Sequence, residues 1–243
     1  MLIVISPART IGEQRFEQYL ETMRYEFEYE RAFPGKSKRP DYTITRNGIV
    51  LFDVKDADPT LLPSGFSQYD PHKGAIRRIN SGCEKFKEFK EFPCCIVLQN
   101  NGSMHDDIEN PAIMLGAMYG KIGFKVPIYV GEGRPTQPAL AVEPAFLGGA
   151  QFQPAKNTRI SAVISLREIR GTGFANAVYA PIQRDVAEDE TDEPHQGVIV
   201  WENVHAAMPL PRDLFDGPFD ERWGLDGTDV ACIFCGSELA ALP

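Results

Sequence analysis

In the stretch KRPDYTITRNGIVLFDVKDADP, residues 38 to 59, two aspartates and a lysine, Asp41, Asp53 and Lys55, flank a short polar turn. Two carboxylates brought onto one surface repel each other unless a cation lies between them. Mg2+ suits that position, because it takes a small number of carboxylates and keeps waters and phosphate oxygens as its other ligands. A lysine beside such a pair can hold an attacking water or stabilise charge developing on phosphorus. This is chemistry for hydrolysing a phosphodiester, provided the three side chains share a face. The competing reading is that they are solvated edge charges, one aspartate being paired with Lys55.

Register decides whether the face is shared. The strands read as DYTIT and IVLFDVK, with Arg46, Asn47 and Gly48 between them. A two-residue Asn47-Gly48 turn sets Asp41 opposite Val54 and turns it away from Asp53. A three-residue loop, with Gly48 left-handed in a bulge, sets Asp41 opposite Asp53 instead. The apolar residues choose without reference to function. Only the three-residue loop gathers Tyr42, Ile44, Val50, Phe52 and Val54 on one face, and a slip of one residue would exchange every side chain between faces. Asp41, Asp53 and Lys55 are therefore predicted on the other face, the β-carbons of the aspartates about 5 Å apart.

The elements around this hairpin follow from periodicity. Thr10 is a good N-cap for a helix in IGEQRFEQYLETMRYEFEYE, where Ile11, Phe16, Tyr19, Leu20 and Met23 form an apolar stripe and Glu13, Glu17 and Glu21 lie four apart on another face. YEFEYERAF alternates like a strand. From His72 to Phe92 the residues Ala75, Ile76, Ile79, Cys83, Phe86 and Phe89 recur at helical spacing, and Lys73, Arg77, Arg78, Lys85, Lys87 and Lys90 make a basic side. PCCIVLQNN reads as a short, buried strand. Beyond about residue 102, IENPAIMLGAMYG is read as a helix, the segments 126–130, 160–166 and 197–202 as strands, and AMPLPRDLFDGPFDERWGLDG as extended or irregular.

Composition bounds the function without choosing it. With 243 residues and 43% hydrophobic content the chain can bury a full core. It has no run of about 18 apolar residues and no signal-peptide pattern at its start, so a soluble, cytoplasmic protein with no membrane partner is expected. Five cysteines, two of them in CIFCG, predict reduced thiols rather than a disulfide framework. The single C-x-x-C has no second half, so buried, inert thiols are expected there rather than zinc. The formal charge is -9, but six of the acids fall in DVAEDETDE, read as a solvated loop. The basic clusters GKSKR and HKGAIRR remain able to meet phosphate locally.

The helix acid, the Pro40-Asp41 dipeptide opening a strand, Asp53-Val54-Lys55 on the next strand, and the following helix and strand together resemble the PD-(D/E)xK nuclease superfamily over roughly residues 10 to 101. The resemblance implies an α/β, restriction-endonuclease-like fold, a mixed central sheet flanked by helices, with a nuclease core in residues 1–101. Residues 102–243, which it does not cover, are read as a β-rich C-terminal elaboration whose strands either extend that sheet or form a second subdomain. It implies Asp41 and Asp53 as ligands of Mg2+ or Mn2+ and Lys55 as the residue that positions or activates water. The GEQRFEQ helix start favours Glu13 as a further catalytic acid, with Glu17 one turn later as its substitute. Asp53 stands where many members carry Glu, and the shorter side chain would hold the metal closer to the strand. Lys73, Arg77 and Arg78 are candidates for nucleic-acid contacts, and Gln99 is a candidate neighbour of the site.

The function expected is a metal-dependent nuclease acting on nucleic acid, DNA foremost, and many enzymes of this fold act as homodimers. Two alternatives stand beside it. One is a catalytically silent binding module with the same fold, and the other is a metal-dependent enzyme on another phosphate-containing substrate. No P-loop, dinucleotide fingerprint, H-E-x-x-H or Ser-His-Asp signature competes.

Overall fold

Thr10 starts the first helix as its spacing predicts. Its side chain accepts from Glu13 N, while the Glu13 carboxylate accepts from Thr10 N, a reciprocal capping box that opens α1 (Ile11–Thr22). In this computed structural model the residues described are 8–57, 70–102, 107–125, 143–147, 149–169, 194–226 and 229–236. The opening LIVIS, the expected strand at 126–130 and the acidic run 185–193 lie outside them.

After α1 come β1 (Phe27–Tyr29), β2 (Tyr42–Thr45) and β3 (Ile49–Ala57), then α2 (Lys73–Lys85), β4 (Cys94–Asn100) and α3 (Pro111–Tyr119). The remaining strands are β5 (Lys121–Lys125), β6 (Glu143–Leu147), β7 (Ile160–Ile169), β8 (His195–Glu202), β9 (Glu221–Asp226) and β10 (Asp229–Cys235). Eight of them form one mixed sheet in the order β1-β2-β3-β4-β7-β8-β9-β10, and β5 pairs with β6 alone. The β3–β4, β4–β7 and β8–β9 pairs are parallel and the other pairs of the large sheet antiparallel. Strands from both halves of the chain thus share one sheet. Among the described residues no helix is long and apolar enough to cross a membrane.

Two apolar layers sandwich this sheet. On one face Phe16, Tyr19 and Leu20 of α1 pack on Tyr42, Ile44, Val50, Phe52, Val54, Cys95 and Val97. On the other, Ala75, Ile79 and Cys83 of α2 and Met114, Leu115 and Met118 of α3 pack on Leu51, Ile96, Leu98 and Trp201. Each fully buried large side chain contributes roughly 1.5–3 kcal/mol of transfer free energy, which is why these stripes dictate which way each strand faces.

Several sequence expectations need correction. The helix expected over 72–92 leaves α geometry at Lys85 and tightens into a 3-10 turn at Phe86–Glu88. Both Phe86 and Phe89 are fully buried, and the tighter turn stacks residues three apart on one side. The irregular segment expected over 207–227 instead ends in β9, which continues the sheet parallel to β8. The C-x-x-C lies in β10, where Cys232 is exposed rather than buried, while Cys83, Cys94 and Cys95 are buried free thiols.

Candidate active site

The hairpin has the register that burial demands. Tyr42 pairs with Phe52, Thr43 with Leu51, Ile44 with Val50 and Thr45 with Ile49, leaving Arg46, Asn47 and Gly48 as a three-residue loop. Asn47 takes the left-handed conformation at φ 51° and Gly48 follows at φ 137°, so the positive φ is spread over both residues. Asp41 N donates to Phe52 O at 2.9 Å, extending the ladder one residue beyond Tyr42 and bringing Asp41 alongside Asp53.

Asp53, in the middle of β3, is fully buried. The Lys55 ammonium, two residues along the same face, straddles its carboxylate at 3.0 Å from Oδ1 and 2.9 Å from Oδ2. Asp41 Oδ2 accepts from Val54 N at 2.7 Å, which aims the other oxygen into the cluster. A fourth residue closes it. Lys85, in the last turn of α2, lies 2.6 Å from Asp53 Oδ1 and forms an ion pair with Asp41 Oδ1. The two carboxylates are thus bridged by one ammonium and flanked by a second, and the cluster is charge-balanced.

Lys85 arrives there because of a glycine. A Cβ at Gly82 would stand 2.6 Å from Cγ1 and 2.7 Å from Cδ1 of Ile96, and Ile96 is the β4 neighbour of Asp53. The missing side chain lets α2 lie close to the sheet at this point, and one turn later Lys85 reaches over the carboxylates. Sequence pattern placed Lys85 only on the basic side of its helix. The signal that could have located it is the buried stripe Ala75-Ile79-Gly82-Phe86, which sets Lys85 at the stripe's margin.

The electrostatics follow from burial. Loss of solvent pushes the Asp41 carboxyl up to about 6, the nearby Asp53 charge adds to the rise, and the Lys85 ammonium opposes it. Burial pulls the Lys85 ammonium down, but the charges of Asp53 and Asp41 outweigh it and the net shift is upward. Asp53 Oδ2, despite its proximity to Lys55, accepts no well-directed hydrogen bond. A buried carboxylate oxygen with spare acceptor capacity, next to a second carboxylate and facing a position already held by a cation, is a donor set suited to a hard divalent ion. Among the described residues no group of three or more His, Cys, Asp or Glu side chains is gathered to hold a metal, so any such ion would rest on these two carboxylates and on non-protein ligands.

The other expected residues are placed differently. The Glu13 carboxylate serves the capping box and accepts from the Tyr29 hydroxyl at 3.4 Å, on the α1 side of the sheet. Glu17, its substitute, pairs with Arg9 at 2.6 Å on that same side. Gln99 pairs with Asp56, so it shares the α1 face and not that of Asp53. Lys73 and Arg77 are exposed on α2. Arg78 departs from the expectation of a phosphate contact: it is buried, and its Nε donates to Asp56 O at 2.9 Å, tying α2 to the end of β3. A basic residue of the loop before Asp41, Lys38, reaches the end of α2, its Nζ donating to Glu84 O at 2.8 Å, one residue from Lys85. Comparison with protein-family models, curated proteins and solved structures finds no match to this chain.

Proposed function

We propose that the protein is a divalent-metal-dependent nuclease of restriction-endonuclease-like fold that hydrolyses phosphodiester bonds, with DNA as the foremost substrate. The observation that carries this reading is the convergence of Asp41 and Asp53, with Lys55 between strand and solvent, on one face of the β2–β3 hairpin. Asp41 and Asp53 would hold Mg2+ or Mn2+. The ion would supply positive charge that offsets the phosphate oxygens. Lys55 is held by Asp53 with its ammonium directed along the site, where it can donate to the attacking water or to a phosphoryl oxygen as charge builds there. Lys38 and Arg39, on the exposed loop before Asp41, are placed to meet a phosphate backbone, and Arg77 and Lys73 extend that basic surface along α2.

The test is incubation of the purified chain with single-stranded, double-stranded and branched DNA and with RNA, in Mn2+ and in EDTA, beside Asp41→Asn and Lys55→Ala. Cleavage in Mn2+ that disappears in EDTA and in both variants supports the reading. Cleavage retained by either pure, folded variant would sink it. A silent binding module is the second reading, favoured by the Lys85 bridge, which already neutralises the carboxylates without a metal. A wild-type melting temperature that does not respond to Mg2+ or Mn2+ would decide for it.

A further inference from the structure

We propose that Lys85 is a displaceable resident cation, which closes the carboxylate pair in the resting protein and withdraws into solvent when a divalent ion takes its place. This rests on the reading of Asp41 and Asp53 as metal ligands and adds a gate to that site. The Lys85 ammonium sits on one oxygen of each carboxylate, the position from which a metal would contact both. A metal cannot bind there while it remains.

Three features make the bridge exchangeable. The first is what holds it. Among the described residues the partners of the Lys85 ammonium are the two carboxylates, whereas the buried guanidinium of Arg222 is fixed by Leu214 O at 2.6 Å, Pro211 O at 3.3 Å and Glu202 at 2.8 Å. An ammonium on a flexible stem leaves by side-chain rotation, while a guanidinium fork anchored to main chain does not. The second is the route out. The Lys85 side chain is 21% exposed and its neighbours Glu84 and Lys87 are exposed, so water is adjacent and no backbone movement is needed.

The third is charge. With two carboxylates, Lys55 and Lys85, the resting cluster is neutral. Addition of a divalent ion with Lys85 still present would leave two net positive charges in a recessed site. With Lys85 withdrawn the excess is one, which a single phosphodiester cancels. The exchange is one of ions only, since the ammonium keeps its protons and no bond is made or broken. The gate therefore favours closing the site again once the substrate's negative charge and the metal leave.

Two measurements on the full chain test this. In the first, wild-type protein is acylated with a water-soluble acetyl ester at rising Mg2+, and modification of Lys85 is followed by peptide mass spectrometry with exposed Lys73 as reference. Lys85 should be protected without Mg2+ and become several-fold more reactive as Mg2+ saturates, with Lys73 unchanged. In the second, Mn2+ affinity is measured calorimetrically for wild type, Lys85→Met and Asp53→Asn. If the closed state holds about nine-tenths of the population, Lys85→Met should bind Mn2+ about tenfold more tightly. Asp53→Asn should lose binding. Unchanged Lys85 reactivity across the Mg2+ range, or an affinity that Lys85→Met leaves unchanged or weakens, overturns the gate while leaving the metal site standing. Mn2+ binding that survives in Asp53→Asn overturns the metal site and the gate together. Should Lys85→Met fail to fold, the acylation of wild-type protein decides alone.

Discussion

Asp53 in β3 and Asp220 just ahead of β9 are both carboxylates taken almost wholly out of water, and they are held in opposite ways. Asp220 Oδ1 accepts from Val198 N at 3.0 Å, and its Oδ2 accepts from Gly217 N at 2.7 Å and from the Tyr19 hydroxyl at 2.6 Å. Every one of these donors is neutral and fixed by the fold. Around it, Arg222 and Arg167 are each anchored to main-chain carbonyls as well as to a glutamate. Asp53 instead takes two ammonium groups on long stems and leaves one oxygen without a directed hydrogen bond. A buried charge satisfied by fixed neutral dipoles cements β8 to α1 and cannot change partner. One satisfied by mobile cations can be exchanged, and that difference singles out the Asp41–Asp53 cluster as the place for chemistry.

The largest expected consequence lies in activity. On the proposed function, Asp53→Asn should reduce cleavage at least about a thousandfold, roughly 4 kcal/mol of transition-state stabilisation. Its melting temperature should change little, because the substitution also removes one of two neighbouring buried carboxylates. Asp220→Ala should do the reverse. It strands two backbone N–H groups and a buried tyrosine hydroxyl, which costs roughly 3 kcal/mol or more and lowers the melting temperature by about 10 °C. Thermal denaturation beside a cleavage assay separates the two. If Asp53→Asn is the variant that unfolds and Asp220→Ala the one that melts normally, the contrast drawn between them is wrong.

The contrast was only half legible in the sequence. The hairpin register could be read because five apolar residues, Tyr42, Ile44, Val50, Phe52 and Val54, have to share a face, and a burial term of that size admits one pairing. Asp41, Asp53 and Lys55 follow from it as the remainder. For Lys85 the spacing marks only the margin of the apolar stripe, where a lysine is ordinarily solvated, and its reach into the site depends on the closeness that Gly82 allows. Arg78 misled for a related reason: charge suggests exposure, whereas its buried guanidinium satisfies the carbonyl of Asp56. The Asp220 cluster was invisible because two of its three donors are 22 and 201 residues away in the chain and the third, three residues away, is a backbone N–H. Strand β9, rich in charge and containing Gly224, has little propensity of its own and is set by its neighbours β8 and β10.

A pH titration sharpens the comparison at intermediate scale. Asp41 titrates near 6 in the folded chain against an ordinary value of 3.8, so the folded state binds this proton more tightly. Its contribution to stability is fully present below about pH 3.8 and is lost as pH rises through about 6, at most roughly 3 kcal/mol. Asp41→Asn should therefore flatten the fall in melting temperature between pH 4 and 6 relative to wild type. An identical pH profile in the variant would show that Asp41 is not the strained partner of the pair. Saturating Mg2+ should flatten the wild-type profile in the same direction, and should do so equally in Asp220→Asn, whose Asp41–Asp53 site is intact.

The smallest effect concerns two glycines, one under each cluster. A Cβ at Gly82 would press on Ile96 at 2.6 and 2.7 Å, while a Cβ at Gly217 would press on Asp220 Oδ2 and Met23 Cε, each at 2.7 Å. For Gly82→Ala, overpacking against a buried β-branched side chain costs about 1–3 kcal/mol, and the better helix propensity of alanine returns up to about 1 kcal/mol, so a net loss near 1 kcal/mol is expected. The stability change is not the informative part. To relieve the contact α2 must move off the sheet, and that movement carries the Lys85 ammonium away from Asp41 and Asp53. Gly82→Ala should then resemble Lys85→Met in binding Mn2+ more tightly than wild type, although it touches neither carboxylate. Gly217→Ala should lower stability without altering metal affinity, because the carboxylate it disturbs has no exchangeable partner. If both alanines shift only the melting temperature, Lys85 does not depend on helix position, and the closeness of α2 is a packing feature alone.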